Sequence, residues 1–104
     1  MTLNEFREFV ISIDPDAGHY TSAHEGDDAF TIWQEGDPLP ITADGAHLGA
    51  RRFEIGRFTH DEDDEIAEAF LEALEESDEI CYRHRTDYLR YDGYIGHIFE
   101  CEAI

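Results

Sequence analysis

DEDDEIAEAFLEALEES, residues 61–77, is the stretch from which the rest of the chain can be placed. Ile66, Ala67, Phe70, Leu71 and Leu74 recur at the spacing of one helical face, and Glu65, Glu68, Glu72, Glu75 and Glu76 take the other. The carboxylates of residues 61–65 lie at the start, where the positive end of a helix dipole favours them. Glu75 and Glu76 lie at the unfavourable end. Burial of Ile66, Phe70 and Leu74, worth roughly 1.5–3 kcal/mol each, outweighs a few tenths per misplaced charge. Such a helix needs a surface to cover, and only a sheet built from the sequence around it can supply one.

The 104 residues form one domain, 1–104, with a single modest core. A hydrophobic content of 41% argues against disorder. Twenty-six acids against seven bases, all arginine, give a net charge of −19. Such a surface repels nucleic acids and anionic membranes, and its self-repulsion is relieved by salt. No apolar run approaches the ~18 residues of a membrane span and no signal peptide is legible, so a cytosolic protein with reduced Cys81 and Cys101 is expected.

In chain order, residues 3–13 read as a short helix with a Thr2/Glu5 capping box and an apolar stripe of Leu3, Phe6, Val10 and Ile13. Residues 14–18, DPDAG, stop it. A weak strand over 19–24 and a stronger one over 29–34 are expected to form a hairpin turning at Gly26–Asp27, with Phe30 and Ile32 inward and Thr31 and Trp33 outward. Residues 36–49, GDPLPITADGAHLG, have no period and carry Leu39, Ile41 and Leu48 on what reads as an exposed loop; a loop of this length is usually functional or disordered. Residues 51–59 read as the central strand, Phe53 and Ile55 sharing a face and Gly56 marking a bulge. Two strands follow the 61–77 helix, 79–88 and 95–101, turning at Asp92–Gly93. Ile80, Tyr82 and His84 share one face, Cys81, Arg83 and Arg85 the other. That turn sets Cys101 opposite His84 rather than Cys81, so a disulfide would need a shifted register. The expected fold is α+β: a mixed sheet of about five strands with two helices on one face, in the order α-β-β-β-α-β-β.

The search for chemistry yields little. The six histidines (19, 24, 47, 60, 84, 97) show no helical metal-binding spacing, and there is no Cys-x-x-Cys. Both cysteines lie in strand patterns within an acidic chain, the reverse of a nucleophile's setting. The acids of 61–65 lack calcium-loop spacing, and no glycine-rich phosphate loop is present. No catalytic residue, cofactor or metal is expected. Arg51, Arg52 and Arg57 on one strand and Arg83 and Arg85 on another either pair with nearby glutamates or meet the acidic helix of a neighbouring copy.

Arg57-Phe58-Thr59, residues 64–74 (DEIAEAFLEAL) and residues 92–102 (DGYIGHIFECE) resemble segments of small siphophage and prophage tail proteins of the tail-terminator, or tail-completion, type. The likeness covers about half the chain. It implies a structural protein that caps the tail tube as a ring, typically of six copies, with the tube protein and a head-completion or connector protein as partners. DNA would then be passing cargo rather than ligand, and the location the virion tail, reached from the host cytoplasm. On this reading Trp33, Leu39, Ile41, Leu48, Arg51, Arg52 and Arg57 are the candidate subunit or partner contacts, and Asp61, Glu62, Asp63, Glu68 and Glu72 the acidic lumen or partner face. Charge alone fits an alternative equally well: a small acidic DNA mimic that occupies the basic groove of a host DNA-handling enzyme.

Overall fold

In a computed structural model, which describes residues 1–36, 50–90 and 92–104, both helices form where apolar periodicity places them. Helix α1 spans Leu3–Ile13 and starts with the full capping box, the Glu5 amide donating to Thr2 Oγ1 at 3.1 Å and the Thr2 amide to Glu5 Oε1 at 2.9 Å. Helix α2 spans Glu65–Glu76, later than the acidic run predicts, because Asp64 is spent as its N-cap and accepts the Ala67 amide at 2.9 Å. The preceding carboxylates of Asp61, Glu62 and Asp63 lie outside the helix, exposed.

The strands are β1 (Gly18–His19), β2 (Ala29–Glu35), β3 (Arg51–Thr59), β4 (Ile80–Leu89) and β5 (Tyr94–Ala103). They make one mixed sheet in the order β1-β2-β3-β5-β4, antiparallel except for the β1–β2 pair. The described residues therefore form an α+β domain of five strands and two helices, as the patterning predicts. The helices lie on one face: Phe6 and Val10 of α1 and Ala67, Phe70 and Leu74 of α2 are buried with Trp33, Phe53, Ile55, Phe99 and Cys101 of the sheet. Phe6 stacks on Phe53 at 4.0 Å between centroids, and Phe70 meets Phe99 at 6.0 Å.

Four expectations are corrected. The hairpin of residues 19–24 with 29–34 does not form. The chain turns out of β1 at Tyr20, whose φ is 65°, and β1 runs parallel to β2, Gly18 opposite Ile32 and His19 opposite Trp33. The faces of β2 are reversed: Thr31 and Trp33 point inward, Trp33 only 1% exposed against Phe6, Phe53 and the His19 ring. Both faces of β2 carry apolar residues, so alternation alone does not choose between them, and the larger indole takes the core. Gly56 is no bulge, since β3 pairs residue for residue with both neighbours through Arg51–Thr59. A Cβ there would stand 2.9 Å from Phe58 Cε2, and one at Gly96 3.1 Å from Phe58 Cε1, so the two glycines leave room for the Phe58 ring. The β4–β5 register also differs by two residues: Cys101 faces Tyr82 and His84 faces Phe99, because Leu89 and Tyr94 are the last pair before the turn, with Gly93 at φ 72° and its amide donating to the Leu89 carbonyl at 2.7 Å. Cys81 is exposed, Cys101 is buried, and both are free thiols.

Candidate interaction surfaces

Arg57 occupies an inward position of the central strand, in line with Phe53, Ile55 and Thr59. An arginine there must find carboxylates or stay out of the core. Its Nε donates to Asp64 Oδ2 at 2.8 Å, its second terminal nitrogen donates to Asp64 Oδ1 at 3.2 Å, and its first to Thr31 Oγ1 at 3.2 Å. That first nitrogen also lies 3.6 Å from Asp14 Oδ2, and Asp14 is the buried C-cap of α1. One guanidinium thus joins the end of α1, the start of α2 and strand β2. Burial raises the Asp64 pKa, but the hydrogen bonds from Arg57 and the Ala67 amide more than offset this and leave it below the usual carboxylate value. Arg57 and Trp33, expected as partner contacts, are therefore internal, at 7% and 1% exposure. Leu39, Ile41 and Leu48 lie outside the described residues.

The remaining candidates fall on opposite sides. Asp61, Glu62, Asp63, Glu68 and Glu72 are all exposed, and residues 61–79 contain no base. The sheet face away from the helices differs in character. By strand alternation it carries Phe30, Ile32, Phe58, Ile98 and Tyr94 towards one end and Arg52, Glu54, Arg83, Arg85, Glu100 and Glu102 towards the other. Phe58 stacks on Phe30 at 5.1 Å, and Tyr94 meets Phe30 edge-on at 5.3 Å. Glu100 accepts from Arg83 at 2.7 Å and also from Arg85, and these hydrogen bonds lower its pKa. Arg85 reaches Asp87 as well, at 3.2 Å. Arg51 is exposed at the start of β3, and Arg52 beside it is half-buried.

Of the two readings of the arginines, pairing within the chain holds for Arg57, Arg83 and Arg85, and Arg51 is exposed. The Arg57–Asp64 pair escaped the sequence reading, although the inward parity of 53, 55, 57 and 59 was a signal for it. Among the described residues no group of three or more His, Cys, Asp or Glu side chains is placed to hold a metal ion, and no helix is long and apolar enough to cross a membrane. No family model matches the chain, and no curated protein or solved structure is significantly similar to it.

Proposed function

We propose that the chain is a structural tail protein of the terminator type, which closes into a ring on the tail tube and presents a surface for head joining. The observation that carries this reading is the separation of charge: an exposed acidic side built on α2 stands opposite a sheet face where arginines and carboxylates intermix. A ring needs two different patches that meet, and a DNA conduit needs an acidic wall without cations that would trap phosphates. Asp61, Glu62, Asp63, Glu68 and Glu72 supply the wall, and Arg51 and Arg52, on opposite faces of the sheet at the start of β3, the cationic contacts. The segments that carry the resemblance contribute Ala67, Phe70, Leu74, Phe99 and Cys101 to the buried core, and Arg57 and Asp64 join two of them in one ion pair.

The test is assembly with tail tubes, followed by electron microscopy and sedimentation. Rings at one tube end are expected, and Arg51→Glu with Arg52→Glu should abolish them while leaving the melting temperature within a few degrees. A protein that never forms a ring, at any salt or with tubes present, overturns the proposal. The row of α2 carboxylates keeps the DNA mimic as the second reading. It requires tight, salt-weakened binding to a basic DNA-handling protein, whereas the ring should strengthen as salt screens like charges.

A further inference from the structure

Strand β4 is an edge: among the described residues only β5 pairs with it, and from Cys81 to Leu89 every residue but Tyr82 is exposed. The register shows which amides are free. Ile104 donates to the Glu79 carbonyl at 2.9 Å, which makes 79 and 104 a hydrogen-bonded pair and sends the odd-numbered residues of β4 towards β5. The backbone groups of Ile80, Tyr82, His84, Thr86 and Tyr88 therefore point outward. Edge strands are commonly blunted by charge, and Arg83, Arg85 and Asp87 are such charges. Their order does more than blunt the edge.

We propose that β4 pairs antiparallel with β4 of a second copy about a twofold axis at Thr86, joining two five-stranded sheets into one. Outward amides meet only when even residues oppose even residues. Four such registers pair seven or more residues of β4. Centred on residue 83, 84 or 85, each sets arginine against arginine: Arg83 on itself, Arg83 on Arg85, or Arg85 on itself. Centred on Thr86, Arg85 faces Asp87 twice, once on each side of the axis, and no like charges oppose. In that register His84 faces Tyr88. Tyr88 is 64% exposed in the single chain, and His84 already stacks on Phe99 at 4.7 Å, so the phenol ring would extend that stack. The charges thus reject three registers and select the fourth, which is how identical strands gain specificity. The dimer is weak, because one strand pair buries less than the ~1,000 Å² of a stable interface. It is independent of the ring, which calls on Arg51 and Arg52.

Disulfide trapping in a Cys81→Ser background tests the register. Thr86→Cys should form a covalent dimer on mild oxidation. His84→Cys and Tyr88→Cys should not, since each would lie ~13 Å from its symmetry copy. In sedimentation at high salt, Asp87→Arg and Arg85→Asp should each weaken self-association by roughly tenfold, and the two together should restore it. On the wild-type chain, raising the concentration should slow amide exchange at His84, Thr86 and Tyr88, while Arg83 and Arg85 are slow throughout. A chain that stays monomeric at millimolar concentration in ~1 M salt, equal trapping at 84, 86 and 88, failure of the double reversal to restore association, or unchanged exchange at the even positions would each overturn the proposal. None of these outcomes bears on whether rings form on tail tubes.

Discussion

Arg57 holds three elements with one side chain, and the cost of removing it comes from what remains. In Arg57→Met, Asp64 and the buried Asp14 lose their cation, so a loss of about 3–5 kcal/mol in urea unfolding is expected. The Asp64 pKa is depressed in the fold. Its contribution is therefore complete above the unfolded carboxylate value, about 3.9, and fades as pH falls through the folded value. The stability gap between wild type and Asp64→Asn should be constant near neutrality and narrow below about pH 4. Hydropathy patterning treats any arginine as surface, which is why this one was not legible as core. Its inward position followed from strand alternation, but its partner could be named only once α2 was seen to begin at Glu65 and leave Asp64 as a cap.

Elements were legible to different degrees for reasons of period and length. Helix α1 has its expected bounds and α2 its apolar face, since three turns of regular spacing over a polar background admit one orientation. Phe70→Ala should cost about 3–5 kcal/mol and lower the melting temperature by roughly 15–30 °C. A shift of only a degree or two would mean that α2 is not packed as described. Strand β2 was harder, because Phe30 stacks on Phe58 on one face, where Ile32 also lies, while Trp33 fills the core on the other. A two-residue strand such as β1 leaves no period at all. Gly56→Ala tests the seat described here: a Cβ forces the Phe58 ring to move and should cost about 1–3 kcal/mol in calorimetry.

At the scale of the molecule, net charge matters most. A domain at −19 repels itself, and raising ionic strength from 0.01 M to 1 M shortens the screening length from about 30 Å to about 3 Å. The melting temperature should climb with sodium chloride over that range. Chloride and sulfate salts at matched ionic strength should act alike at the low end, where screening rather than surface exclusion is at work. A melting temperature independent of salt would show that the acids of α2 are neutralised within the subunit. The acidity itself was plain from composition. Its placement on the helical side was legible from residues 61–79, but the mixed charge of the opposite sheet face was not, because it depends on the β3–β5–β4 order.

The two thiols make the chain a clock for its own opening. Cys81 is exposed on the edge strand and should react with an aromatic disulfide reagent within the mixing time. Cys101 lies on β5 between its two neighbours, with a thiol pushed by burial up to about 12, and can react only from an opened state. Its labelling should lag that of Cys81 by the equilibrium constant for opening, roughly four to seven orders of magnitude for a domain of 5–10 kcal/mol. Mass spectrometry that counts one label and then a second would therefore read global stability without denaturant. If both labels arrived together, the strand between β3 and β4 would be exchanging freely with solvent.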